Sequence, residues 1–170
     1  MHHKYSNKYT NEQKKGKNIV NKEQTFDELD SKIMRELLTD SRTSLRQISN
    51  KLKVSVGTVA NRVKNLTFNK VLKYYTAVID HEKIGYDLSA LIELTVAKGK
   101  LLEVAEKISK LQNVCAVYDI TGSTDTLVIA KFKNRKELND FVKSLLVMDY
   151  VERTNTHVIL NTVKEDFRLI

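Results

Sequence analysis

The amino-acid sequence predicts an α+β protein with two domains: an N-terminal helix-turn-helix (winged helix) domain and a C-terminal ferredoxin-like βαββαβ domain. Two observations support this prediction. Apolar residues recur at helical spacing in three short runs between residues 27 and 69. Beyond residue 87, apolar segments of strand length are interleaved with two helical ones. The length of 170 residues suits one or two small domains.

Capping residues divide the first domain into three helices. Asp27 begins a helix that extends to about residue 39. Ser44 caps a second helix, and Ser55 caps a third that reaches about residue 69. The buried stripe of the third helix is predicted at Val56, Val59, Val63 and Leu66. Asn69 is expected to adopt a left-handed conformation, after which residues 71–79 alternate like the strand of a wing.

The second domain is predicted from its strand and helix periodicities. Strands are expected at 89–96, 114–121, 126–132 and 151–162, and helices at 101–111 and 136–147. In a ferredoxin-like sandwich the helices cover one sheet face. These strands nevertheless carry apolar residues on both alternations, as Leu127 and Val128 illustrate. The uncovered face therefore needs a partner, and we expect a second copy of the chain, sheet to sheet.

Five segments follow from these elements. We expect a disordered basic tail at 1–25, the helix-turn-helix domain with its wing at 26–80 and a linker at 81–87. The ferredoxin-like domain is expected at 88–164, followed by a C-terminal tail at 165–170. The first segment contains almost no aliphatic side chains and cannot build a core.

The net charge of +8 is unevenly distributed along the chain. Residues 81–170 contain thirteen basic and thirteen acidic side chains, whereas residues 41–79 contain eight basic side chains and no acidic one. A surface that binds a polyanion must concentrate its charge locally, because evenly mixed signs cancel. The acid-free stretch coincides with the second and third helices, so double-stranded DNA is the expected partner.

The helical wheel of the third helix predicts which side chains contact bases. If the stripe points inward, the outward residues are Gly57, Thr58, Asn61, Lys64 and Asn65. Asn pairs bidentately with adenine, Lys reaches guanine acceptors or phosphate, and a Thr methyl contacts thymine. Gly57 would allow the helix backbone to approach the duplex closely.

Further DNA contacts are predicted outside the base-reading set. Arg42, Arg46 and Ser55 are placed for phosphate contacts, and Ser44 and Arg62 complete the predicted interface. Two alternatives stand beside these roles. Capping is the first role expected of the two serines, and an ion pair with the first helix is an equal alternative for Arg62.

Residue types argue against several other classes of protein. The single cysteine, Cys115, excludes an intramolecular disulfide framework and a cysteine-based zinc finger, and its strand position predicts a buried thiol. His81 and His157 have no nucleophile or carboxylate at a recognisable spacing. We therefore expect no enzyme, no catalytic residue, no metal and no cofactor. Lacking a long apolar run, the chain is expected to be cytoplasmic, without a membrane partner.

Several motifs occur in a specific order. The N-terminal ones are Leu29-Asp30-Ser31-Lys32-Ile33, Asp40-Ser41-Arg42, Ile48 to Leu52, Val54-Ser55, and Arg62-Val63 with Leu66. The C-terminal ones are Ile120 to Asp125, and Thr154-Asn155-Thr156 continuing to Val163-Lys164. In this combination the chain resembles the leucine-responsive and asparagine-responsive (Lrp/AsnC, or feast/famine) regulators of bacteria and archaea. The resemblance implies a homodimer that assembles further, to tetramers or octamers, and an amino-acid effector.

The resemblance also implies where the effector binds. Thr121, Gly122, Ser123 and Thr124 would present amides and hydroxyls to its carboxylate, and Asp125 would bind its ammonium group. Thr154 and Thr156 would add hydroxyls from the last strand. The alternative for the loop is an ordinary turn. The predicted function is sequence-specific transcriptional regulation, and the alternative is an architectural DNA-binding protein without ligand control.

Overall fold

The computed structural model describes residues 26–169, which form two compact units that divide between Thr76 and Ala77. The first unit contains three helices, and the second contains a four-stranded sheet with two helices. The basic tail predicted at 1–25 and the last residue of the predicted C-terminal tail lie outside the described residues. Among residues 26–169, no helix combines the length and apolar character needed to span a membrane.

The helical unit consists of α1 (Glu28–Thr39), α2 (Leu45–Leu52) and α3 (Val56–Phe68). Asp27, Ser44 and Ser55 are the N-caps, as predicted, and each side chain accepts a backbone N–H from the first turn. The three helices bury a small core, which comprises Ile33, Leu37, Ile48 and Val59. The helix-turn-helix prediction is therefore confirmed.

Three details of the helical unit differ from the sequence prediction. Val56, the first residue of α3, is 44% exposed, whereas Val59 and Leu66 of the same predicted stripe are buried. Lys70, and not Asn69, adopts the left-handed conformation after α3, with φ of 58°. Residues 71–79 form no strand, so the predicted wing strand is wrong. The described part of the helical unit contains no second strand with which residues 71–79 could form a ladder.

The second unit confirms the ferredoxin-like βαββαβ order. Its elements are β1 (Leu88–Val96), α4 (Leu101–Ile108), β2 (Val114–Asp119), β3 (Thr126–Phe132), α5 (Arg135–Leu146) and β4 (Val151–Ile159). The strands are ordered β2-β3-β1-β4, and every neighbouring pair is antiparallel. A 3₁₀ turn at Glu82–Ile84 occupies the predicted linker and ends at Gly85, whose φ of 87° favours glycine.

One face of the sheet carries the core of this unit. Ile92 and Leu94 of β1 and Val128 and Ala130 of β3 are fully buried on the helix-covered face. The intervening residues, including Leu91 and Leu127, point to the other face and are only partly buried. We call this second surface the open face. It is the uncovered face that the sequence predicted.

Cys115 is exposed, contrary to the prediction of a buried thiol. The reason lies in the register of β2 against β3. Val114 pairs with Ala130 and Ala116 pairs with Ile129, so Cys115 is the extra residue of a bulge. β2 is also an edge strand of the four-stranded sheet that residues 26–169 form. Strand alternation in the sequence cannot reveal such an insertion.

Candidate nucleic-acid interface and effector cavity

The outward face of α3 presents polar side chains that nothing in the described chain engages. Gly57, Asn61, Lys64 and Asn65 are exposed, as the helical wheel predicted. Within residues 26–169, the side chains of Asn61, Lys64 and Asn65 make no hydrogen bond or ion pair. Thr58 is only half-buried, but its hydroxyl lies 2.8 Å from the Ser55 hydroxyl. The exposed amides and ammonium are therefore available to a partner.

Each of the two capping serines begins one helix, Ser44 at α2 and Ser55 at α3. Ser44 Oγ accepts the Gln47 N–H at 3.3 Å, and Gln47 Oε1 accepts the Ser44 N–H at 2.9 Å, which completes a capping box. Ser55 Oγ accepts the Thr58 N–H at 3.0 Å. Both serines are exposed while they cap. Capping, the first role expected of them, is confirmed.

Carboxylates preceding residue 41 engage three of the basic side chains of the acid-free stretch. Arg42 pairs with Asp40 at 3.2 Å, and Lys51 pairs with Glu36 at 2.7 Å. Arg62 pairs with Asp27 at 2.6 Å and with Asp30 at 3.1 Å. The alternative weighed for Arg62, an ion pair with the first helix, is therefore present in the structure. The Lys51 and Arg62 pairs tie α2 and α3 to α1, whereas the Arg42 pair is local to the turn between α1 and α2.

The Arg62 cluster changes the titration of its members. Asp27 accepts the Asp30 N–H at 2.9 Å, and this hydrogen bond, together with the Arg62 guanidinium, lowers the pKa of Asp27. The hydrogen bond to Asp27 and the nearby Asp30 charge raise the pKa of Arg62 further. Arg62 is thus a structural cation whose donors point at α1.

The remaining basic side chains of the stretch are without partners within the described residues. They are Arg46, Lys53, Lys64, Lys70 and Lys73, and all are exposed. Free, exposed cations contribute the phosphate attraction of a DNA-binding surface. The structure therefore distinguishes basic side chains that pair with carboxylates of the helical unit from basic side chains that remain free to bind a polyanion. The predicted DNA contacts name Arg42, Arg46, Arg62 and Lys64, whereas Lys53, Lys70 and Lys73 are predicted only as members of the acid-free basic stretch.

The predicted effector loop lies between β2 and β3. Thr121, Gly122 and Ser123 are exposed, and Gly122 has a φ of 134°. Asp125 does not extend into solvent, because its Oδ2 accepts the Val96 N–H at 2.8 Å. Its own N–H donates to the Leu94 carbonyl at 2.9 Å. These two hydrogen bonds of Asp125 anchor the loop to β1. Such contacts agree with the alternative interpretation of the loop as an ordinary turn.

A cavity of about 110 Å³ opens beside this loop. Its lining comprises Glu93, Thr95, Ser123, Thr124, Arg153 and Asn155. Glu93 pairs across the strands with Asn155, and Thr95 pairs with Arg153, so all four strand residues point to the open face. The loop contributes Ser123 and Thr124, whose hydroxyls are among the predicted effector-binding groups. The four strand residues are not among the predicted effector-binding residues.

Thr154 and Thr156 lie on the other side of the sheet. They pair with Leu94 and Ile92, which are both buried under the helices. Their hydroxyls therefore point away from the cavity, contrary to the expectation that they join the loop. Thr154 and Thr156 as effector-binding residues therefore stay a prediction that this cavity does not support. The polar residues Arg153 and Asn155 occupy the alternation of β4 that faces the cavity.

A helix-turn-helix with a free polar recognition face, in one chain with a ferredoxin-like domain that carries a cavity, defines a DNA-binding transcriptional regulator with a sensing domain. Comparison with known proteins specifies the family. Residues 26–67 match the AsnC-type helix-turn-helix domain, and residues 89–169 match the Lrp/AsnC ligand binding domain. The chain belongs to the Lrp/AsnC family of transcriptional regulators.

Individual relatives agree with this assignment. An uncharacterised HTH-type transcriptional regulator of Pyrococcus horikoshii is 50% identical over 144 residues, which cover 85% of this chain and 97% of the relative. Among solved structures, a Neisseria meningitidis transcriptional regulator in complex with L-methionine superposes with a TM-score of 0.80 at 26% identity. That match covers 86% of this chain and 97% of the other. LrpC of Bacillus subtilis matches with a TM-score of 0.75 at 29% identity, over 84% and 99% of the two chains.

Proposed function

We propose that this regulator binds a specific DNA sequence by inserting α3 into the major groove. The observation that carries the proposal is the unengaged polar set on α3, Asn61, Lys64 and Asn65. Side chains that already have partners would have to break those contacts before reading a base, whereas these three do not. The free cations Arg46, Lys53 and Lys70 supply sequence-independent attraction to the phosphates.

The open face supports a homodimer. Leu91, Leu127 and Ile129 are apolar and only partly buried there, while the helices cover the other face. Covering this surface with a second copy would remove apolar area from water. A two-fold dimer would also supply the paired recognition helices that a palindromic operator requires. Tetramers and octamers are the larger assemblies that we propose for this dimer.

An amino acid is the effector that we propose. The Neisseria meningitidis relative was solved with L-methionine, and this chain matches the Lrp/AsnC ligand binding domain over residues 89–169. The cavity beside Ser123 and Thr124 offers hydroxyl groups within that domain. Binding of the amino acid would alter assembly or DNA affinity, because a ligand that favours one state shifts the equilibrium toward it.

The DNA-binding proposal is tested by substitution on α3. We expect Asn61→Ala and Lys64→Ala each to weaken specific binding by about 1–3 kcal/mol, the worth of a base contact. Lys110→Ala is the matched control, since Lys110 is an exposed lysine of the other unit. Footprinting and fluorescence titration at fixed salt give the affinities. Footprints of both α3 variants that match wild type would refute the assignment of α3 as the reading helix.

The effector proposal is tested by calorimetric titration with all twenty amino acids on the folded, assembled protein. We expect heat of binding with at least one of them and a change in DNA affinity with the same one. If none binds, the architectural alternative gains support, in which the free cations bridge or wrap DNA without ligand control.

A further inference from the structure

We propose that the cavity on the open face selects an amino acid with a polar side chain, and that Glu93 and Arg153 bind its backbone charges. The inference rests on the proposed amino-acid effector and specifies the class of that effector. It also replaces Asp125, whose carboxylate already accepts the Val96 N–H, as the group that binds the ammonium.

Two residues of opposite charge line the cavity without contacting each other. Glu93 on β1 faces Asn155, so Arg153 is its diagonal neighbour on β4. Diagonal positions lie within reach of long side chains. Within residues 26–169, however, the Arg153 guanidinium makes no ion pair or hydrogen bond, with Glu93 or with any other group. Glu93 and Arg153 instead both line the same cavity. A zwitterion placed between them would satisfy both charges.

Neighbouring polar side chains hold Glu93 in a fixed position. Its Oε2 accepts a hydrogen bond from Asn155 Nδ2 at 3.2 Å, and His157 Nε2 lies 3.8 Å from the same oxygen. Asn155 Nδ2 also lies 2.9 Å from that histidine nitrogen. These neighbours hold the carboxylate in place before a ligand arrives, which lowers the cost of ordering it on binding. An ammonium group can then approach the carboxylate from the cavity.

The lining of the cavity favours a polar side chain on the ligand. Every lining residue is polar, and none contributes an aliphatic or aromatic side chain. An apolar ligand side chain would displace water from Thr95, Ser123 and Thr124 without returning a hydrogen bond, which is costly. A hydroxyl, amide or carboxylate would pair with those groups. The volume of about 110 Å³ suits a ligand far smaller than the drug-sized molecules that occupy typical pockets.

The location of the cavity links its ligand to assembly. The lining strand residues belong to the same open face that the proposed second copy would cover. Burying Glu93 and Arg153 without a zwitterion would desolvate two charges that are not paired with each other. A ligand that neutralises both charges would remove that cost. We therefore expect the effector to favour the assembled state.

Calorimetry on the full chain tests the class of effector. Serine, threonine, asparagine, glutamine and aspartate form one group of ligands, and valine, leucine and methionine form the other. We expect at least one polar amino acid to bind ten or more times tighter than any apolar one. Tighter binding of an apolar amino acid would overturn this inference and leave the effector proposal standing. Absence of binding by every amino acid would refute the effector proposal itself.

Substitutions test the two residues. We expect Glu93→Gln and Arg153→Gln each to weaken binding of the preferred amino acid at least tenfold. Glu106→Gln and Arg135→Gln, at exposed positions on α4 and α5 outside the cavity, should leave it unchanged. Circular dichroism and thermal melting establish that each variant is folded. Wild-type affinity in a folded Glu93 or Arg153 variant would refute the assignment, and sedimentation with and without ligand measures the effect on assembly.

Discussion

The two units of this chain use their polar groups in different ways. In the helical unit, carboxylates confined to α1 and its flanks neutralise part of an otherwise acid-free basic surface. In the sheet unit, charges of both signs are balanced and one face of the sheet is left partly apolar. The first arrangement suits a polyanion, and the second suits a like surface and a small zwitterion. The net charge of the whole chain conceals this division.

The units also differ in how much core supports them. The helical core cluster contains four buried residues, whereas the cluster between the sheet and its helices contains eleven. Small cores leave little surplus over the entropy of ordering the chain. We therefore expect the helical unit to be the less stable of the two, although it carries the recognition surface.

Ile48→Ala is expected to have the largest effect, which is unfolding of the helical unit. Ile48 is fully buried among four core residues, and such truncations cost about 2–5 kcal/mol. We expect hydrogen exchange in α1 to α3 to lose protection while the strands keep theirs. Ile84→Ala, at an exposed position, is the control. Simultaneous loss of protection in both units would contradict the expectation that the helical unit unfolds while the sheet unit stays folded.

A smaller effect of opposite sign is expected in the sheet unit. Thr126 is fully buried, and its hydroxyl has no hydrogen-bond partner in the described part of the chain. Thr126→Val removes an unsatisfied polar atom, so we expect stabilisation by about 1 kcal/mol. Thr156→Val, at a half-buried position of the same sheet, should change stability by less than about 0.5 kcal/mol. Denaturant titration measures both. A destabilised Thr126 variant would indicate that the hydroxyl has an undetected partner.

Gly57→Ala separates folding from recognition in the helical unit. A Cβ at Gly57 would meet only the Ser55 hydroxyl, at 3.7 Å, an ordinary contact. Alanine favours the helix over glycine by about 0.5–1 kcal/mol, so we expect a more stable protein. We also expect weaker DNA binding, because the added methyl would stand between the helix and the duplex. Thermal melting and DNA titration together check this prediction, and DNA binding equal to wild type would show that Gly57 is not at the contact.

The smallest effect concerns pH. The pKa of Asp27 is lowered in the folded protein by the Asp30 N–H and by Arg62. A lowered folded-state pKa stabilises the fold above the unfolded pKa, near 4, and this contribution disappears as pH falls through the folded value. We expect acid to destabilise the wild-type helical unit more steeply than Asp27→Asn, which keeps a cap but has no charge. Asp140→Asn, in the sheet unit, is the control. Parallel acid profiles of wild type and Asp27→Asn would contradict this role.

The sequence predicted local features of the fold better than features that depend on long-range contacts. Each N-cap of the helical unit was predicted, because capping involves residues only three positions apart. Apolar periodicity located every helix and strand of the sheet unit. The prediction of a wing strand was wrong because apolar alternation alone does not supply a strand to pair with. The prediction that Cys115 is buried was wrong because a bulge shifts the alternation of β2 by one residue.

The sequence by itself determined the helices, the strand order along the chain and the acid-free basic stretch, since these depend on neighbouring residues. Only the tertiary structure decided which charges pair and which alternation of β4 faces the cavity. Arg62 meets α1 from 32 residues away, and Glu93 meets Asn155 from 62 residues away. Such contacts depend on strand register and helix packing, where a shift of one residue reverses a side chain's face. The exposed polar face of α3 was therefore largely predictable from the sequence, whereas the cavity could be identified only in the folded sheet.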